Sequence, residues 1–163
     1  MDDTNHSEES LIAGLQSRFL QAMAARERGD VDGAAELLRG ILRIEPRLPE
    51  PRMELANILL GASQLTEAEE HLREAIQSLE TGGQWSEELP ENVVLSLAYG
   101  TLAEVLRRQA DSDEIVFGDP AGFEKRIREA KSAFKKAAAL DPDNVHAGYW
   151  SFDPRRRGIV AEE

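Results

Sequence analysis

Apolar residues recur along this chain at an interval of 34 positions: Ala22 as Ala56, Val31 as Leu65, Ala34 as Ala68, and Leu38 as Leu72. The agreement runs through two apolar-periodic segments and the polar turn joining them. That turn is Gly29-Asp30 in the first copy and Ser63-Gln64 in the second. Further on, Phe123, Ile127, Ala130, Phe134 and Ala137 stand four and three apart, which places them along one stripe of a helix. Asp119-Pro120 just upstream supplies an N-cap and a proline suited to the first helical position, and Pro90-Glu91 opens a helix that runs to about Gln109. No segment alternates β-branched and polar residues in steps of two, so strands are not expected. The pattern predicts an all-α chain of stacked helix pairs, each burying one face on its neighbour.

A third unit keeps the pattern in stretched form. Tyr99, Leu102, Ala103 and Leu106 fit a first helix, and Ile127, Ala130, Phe134, Ala137 and Leu140-Asp141-Pro142 fit a second. The step from Ala103 to Ala130 is 27 residues where the regular units take 12, so 15 are inserted. Another 13 lie between the second and third units. The expected organisation is an acidic, flexible N-terminus over 1–10, a helical domain over 11–150 and a tail over 151–163. The repeats span about 15–48, 49–80 and 90–142, with insertions near 81–92 and 111–123. A helix from about Ser7 to Arg28 carries Leu11, Ile12 and Leu15 ahead of the first repeat. At the other end, Asn144 to Trp150 begins a further helix, and Tyr149, Trp150 and Phe152 are available either to close the last apolar face or to dock a partner.

A 34-residue helix–turn–helix unit with small residues at the helix crossings resembles the tetratricopeptide repeat (TPR) family. The crossing residues are Ala22, Ala34, Ala56, Ala68 and Ala75. The family's turn glycine matches Gly29 but is Ser63 in the second unit, and its closing proline matches Pro46 but is Glu80. The bulky first-helix position holds Arg18 and Arg52. The resemblance implies a TPR-like α-α superhelix, a short right-handed solenoid of antiparallel helix pairs. It also implies a concave groove, lined by the first helices, that receives a peptide or helix. Carried over by position, the groove residues are Phe19, Met23 and Arg26 in the first unit, and Met53, Asn57 and Leu60 in the second. The third contributes Leu97, Glu104, Arg107 and Arg108. Phe19 and Met23 equally fit a core stripe, and Asn57 is the polar residue least at home in mid-helix. One subtype of the family grips chaperone tails with Lys and Asn where this chain has Phe19 and Met23, so that role is not expected.

Composition narrows the partners. A net charge of -12 and a pI near 4.8 disfavour nucleic acid and anionic membrane. No run of apolar residues is long enough for a membrane span, and Met1 to Ser10 lacks the features of a secretory signal, so a cytoplasmic protein is expected. With no cysteine, thiolate metal sites and cysteine nucleophiles are excluded. His6, His71 and His146 lie far apart, and His71 reads as a solvated residue on the outer side of a second helix. Asp111-Ser112-Asp113-Glu114 begins like a calcium loop, but Ile115 and Val116 stand where Asp or Asn and then Gly belong. No phosphate-binding or nucleophile motif is present. The expectation is therefore no cofactor, no metal and no enzyme. Arg155-Arg156-Arg157 is a basic cluster in an acidic chain, and Trp85 in the 81–92 insertion reads as packing back on the third pair. The expected function is an adaptor or chaperone-like scaffold, the rival being a structural subunit of a homo-oligomer or larger assembly with no free groove.

Overall fold

The computed structural model describes residues 3–147, and these form seven helices in succession and a final helical turn at 145–147. The seven are α1 (Asp3–Glu27), α2 (Val31–Ile44), α3 (Pro49–Gly61), α4 (Leu65–Glu80), α5 (Glu91–Ala110), α6 (Asp113–Gly118) and α7 (Pro120–Leu140). Local chemistry sets their ends. Asp30 and Asp119 each cap a helix by accepting from the backbone N–H three residues on, at 2.9 Å to Gly33 and Gly122. Pro49 and Pro120 occupy first positions, where a missing N–H costs nothing.

The turns inside the first two pairs superpose bond for bond. Gly29 donates to Arg26 O at 3.0 Å and Asp30 to Ala25 O at 2.9 Å. Thirty-four residues later Ser63 donates to Leu60 O at 3.1 Å and Gln64 to Leu59 O at 2.8 Å. Both turns need a left-handed residue, with φ of +83° at Gly29 and +59° at Ser63. Ser63 therefore holds a conformation that costs an L residue about 1–2 kcal/mol, and the repeat keeps its geometry without its glycine.

Three antiparallel pairs, α1–α2, α3–α4 and α5–α7, stack through α2 on α3 and α4 on α5. Ala22, Ala34, Ala56, Ala68 and Ala75 are all fully buried at the crossings, as the 34-residue spacing predicts. A Cβ is the largest group that fits where two backbones approach this closely. Leu38, Leu55, Leu72 and Leu79 fill the rest of a core that continues into α5 through Val94, Ala98 and Leu102. A second, smaller cluster joins Ala103 to Ala133, Phe134, Ala137 and Ala147.

The third pair departs from the others in its polar interior. Ser96 is completely buried, donating to Ala137 O at 2.7 Å and accepting from Asn144 Nδ2 at 3.0 Å. Asn144 Oδ1 in turn accepts from Ala147 N–H at 3.1 Å, and a helical turn follows it. The 15 inserted residues lengthen α5 and α7 and form the short α6, none of whose side chains is buried; Phe117 is 84% exposed. Phe123 and Ile127, though on the α7 stripe, are only half-buried, and the buried part of the stripe begins at Ala130. At the N-terminus the helix begins at Asp3, so most of the segment expected as a flexible tail is helical, although every described side chain from Asn5 to Gly14 is exposed. Tyr149, Trp150, Phe152 and the Arg155–Arg157 cluster lie outside the described residues. Among the described residues no helix is long and apolar enough to cross a membrane.

Candidate partner-binding groove

The first helices α1, α3 and α5 share one face of the stack, and their side chains meet across a trough. Phe19 and Met23 from α1, Met53 from α3, and Val94 and Leu97 from α5 line one cavity of about 260 Å³. Phe19, Met23 and Met53 also touch the core with their inner edges, so the two positions open in the sequence, groove and core stripe, are both occupied by the same side chains. Leu97 is 45% exposed. Leu60 packs against the core at the end of α3, and the side chain of half-buried Asn57 makes no hydrogen bond among the described residues.

The segment between α4 and α5 completes this trough, a role its sequence does not announce. Trp85 stands edge-on to Phe19, ring centroids 5.6 Å apart at 72°, more than sixty residues away in sequence. It therefore packs on the first pair and not, as expected, on the third. Glu50 of α3 holds it there: its carboxylate accepts from Trp85 N–H at 2.9 and 3.2 Å and from Ser86 N–H at 3.0 Å. Gln84 ties the segment to itself by donating to Ser86 O at 2.6 Å and Leu89 O at 2.7 Å. Each of these bonds satisfies backbone that no helix serves. Ser86, Glu88 and Leu89 thereby become walls of the 260 Å³ cavity. On the other side of the segment, Gln16, Phe19, Leu20 and Met23 face Trp85 to Glu88 across a second cavity of about 630 Å³. The one hint in the sequence was a tryptophan inside a polar, glycine-opened insertion.

The charged candidates are largely neutralised within the chain. Arg26 forms a short ion pair with Glu54 of α3. Glu104 receives Arg107 at 2.7 and 3.1 Å and Arg108 at 3.0 Å, and Arg107 also reaches Asp111 at 3.0 Å. Burial pushes the Glu104 carboxyl up, but hydrogen bonds from the two arginines and their charges outweigh it and hold the group below the ordinary carboxylate value. These three residues form one network along α5, separate from the apolar cavity. At the edge of the third pair, burial and a short hydrogen bond to Glu80 push the Tyr99 hydroxyl up to about 12, so it stays a donor.

The opposite face carries a second network. Arg52 donates to Pro46 O at 2.8 Å and to His71 Nδ1 at 2.9 Å, and pairs with Glu74 at 2.7 Å. Glu67 lies 3.5 Å from His71 Nε2 and accepts from Arg39 of α2 at 2.5 Å. His71 is thus enclosed by charged partners, not solvated as its position suggested; its side chain is 16% exposed. Burial first, and the Arg52 charge second, lower its pKa and favour the neutral ring with its proton on Nε2. The arginine in the bulky first-helix position explains this: its guanidinium reaches past the helix and draws α3, α4 and the α2–α3 turn together.

Two tetratricopeptide repeat models match the chain, one over residues 25–86 and another over residues 121–144. No curated protein matches it. Among solved structures, the crystal structure of MamA is similar at 16% sequence identity over 85% of each chain, with a TM-score of 0.35.

Proposed function

Since the chain belongs to the tetratricopeptide repeat family, whose repeats mediate protein–protein interaction, we propose that it is an adaptor or chaperone-like scaffold that takes a peptide or short helix into its concave trough. One observation carries this reading: Phe19, Met23, Met53 and Leu97, from three successive first helices, converge on a single solvent-open cavity. Apolar surface gathered in a concavity is where binding energy concentrates, because a partner side chain there loses water on several sides at once. Asn57 offers a polar contact on the same face of α3. Arg26, paired with Glu54 beside the cavity, and the Glu104, Arg107 and Arg108 network further along α5 are charges that set register more than affinity. A net charge of -12 makes a protein partner far more favourable than a nucleic acid and suits a protein working in the cytoplasm.

Selection from a displayed random-peptide library tests the reading. Peptides should be enriched on the full chain, and their binding should be lost in Leu97→Glu. Arg43→Glu, a change at an exposed second-helix residue, should leave binding intact. Peptides that bind Leu97→Glu as well as the parent would place the binding surface elsewhere.

A further inference from the structure

The 81–90 segment alters what the trough accepts. We infer that the cavity it closes is an anchor site for an extended cationic peptide. One bulky apolar side chain enters between Phe19, Met53 and Leu97, while flanking Lys or Arg residues pair with Glu87 and Glu88. This rests on the function proposed above and names the class of partner.

The size and lining of the cavity define the anchor. At about 260 Å³ it exceeds the ~150 Å³ apolar cavity that accommodates a benzene ring, so a Phe, Leu or Met side chain fits without rearrangement. Its two neighbours Glu50 and Glu54 are already engaged, the first by the backbone of Trp85 and Ser86, the second by Arg26. Glu87 and Glu88 are exposed, and neither has a cationic partner among the described residues. Among the described residues, no Lys or Arg lines either cavity. The charge presented at the rim is therefore negative, and a cationic flank is the complement that both attracts the partner and avoids like-charge repulsion. The two cavities adjoin, because Phe19, Met23, Ser86 and Glu88 line both. They form a bent trough passing the inserted segment, which an extended strand follows more readily than a rigid helix about 10 Å across. The triple anchorage of the segment by Glu50, Gln84 and Phe19 makes it a wall of the site.

Fluorescence anisotropy with three labelled synthetic peptides tests this on the full chain. The first has a central Phe between two pairs of Lys in a Gly/Ser context; the others carry Phe→Ala or all Lys→Glu. The first should bind at least about tenfold more tightly than either, a difference of about 1.4 kcal/mol. Leu97→Trp fills the cavity without changing charge, and should weaken the Phe peptide about tenfold while leaving the Ala peptide unchanged. The double variant Glu87→Lys, Glu88→Lys should turn the preference toward the Glu-flanked peptide, with the helical circular dichroism of both variants matching the parent. Equal binding of Lys- and Glu-flanked peptides, both lost in Leu97→Trp, would overturn the cationic preference and leave the groove reading standing. Binding indifferent to both Phe→Ala and Leu97→Trp would reduce the effect to surface charge and overturn the anchor. Failure of library selection to yield any Leu97-dependent peptide would remove both.

Discussion

The first two helix pairs and the third solve the same packing problem by different means. In α1–α4 the crossings are alanine against leucine, and the helices after α1 are 13 to 16 residues long. Among the described residues there no polar side chain is fully buried, the polar networks lying at the trough rim and on the outer face around Arg52. In α5–α7 the helices are 20 and 21 residues long, and a hydroxyl and an amide enter the interior through Ser96 and Asn144. An alanine crossing depends on distance alone and tolerates small rotations of one helix on the other. The Ser96–Asn144 link depends on direction, and so fixes how far α5 slides along α7 and where the next turn begins. In the third pair both partners are long, so a register slip between them is countered along a longer contact, and the directional bonds appear there.

Breaking each core should have the largest effect. Phe134→Ala removes the one large buried side chain that the described residues give the smaller cluster and should cost about 3–5 kcal/mol, against about 2–5 kcal/mol for Leu72→Ala in the main core. Urea denaturation followed by circular dichroism compares them; a loss from Phe134→Ala well below that from Leu72→Ala would show that the third pair contributes little to global stability. Next, Ser96→Ala leaves Asn144 Nδ2 without its acceptor and should cost about 1–3 kcal/mol, read in the same assay. A neutral result would mean that alanine packing alone sets the register of α5 on α7.

Within the regular pairs, Ser63→Gly should raise stability by up to about 1 kcal/mol, because glycine adopts the left-handed turn without a Cβ penalty. The corresponding Gly29→Ser should lower it, and unequal signs between these two changes are what the superposed turns demand. The outer network predicts a smaller effect with a defined pH window. The folded His71 ring binds its proton less tightly than the unfolded one, so the unfolded state takes up more protons as pH falls below about 6.5. Its contribution is complete above that value and declines as pH drops toward the folded pKa. His71→Gln should flatten the urea midpoint between about pH 7 and 5. The lowered carboxyl of Glu67, held by Arg39, adds a separate loss that begins only in the usual carboxylate range near 4.5. Last, replacing Asp113–Gly118 with a Gly/Ser linker of equal length should change the thermal midpoint little and remove only the helicity of α6, because none of its side chains is buried.

Much of the fold was legible because its determinants are short-range. Helix periodicity, the Asp119 cap with Pro120 behind it and the alanine spacing each involve residues within one unit or an identical step between units. The same spacing led to Phe19, Met23, Met53 and Leu97, which the structure brings to one cavity. It also grouped Glu104, Arg107 and Arg108 with them, whereas side-chain pairing three and four residues apart keeps these three in a separate network on α5. The fate of His71 escaped position-based reading because burial there comes from Arg52, on another helix, not from an apolar face.

The sequence by itself determined the all-α repeat architecture, since helix formation and small-residue crossings depend on local spacing that the chain displays openly. Only the tertiary structure decided what the groove looks like. An irregular segment has no periodicity to read, and its path depends on where α1 and α3 offer a ring and a carboxylate. That is why Trp85 lies over Phe19, its backbone held by Glu50, and why an insertion whose tryptophan was expected against the third pair forms a wall of the candidate site.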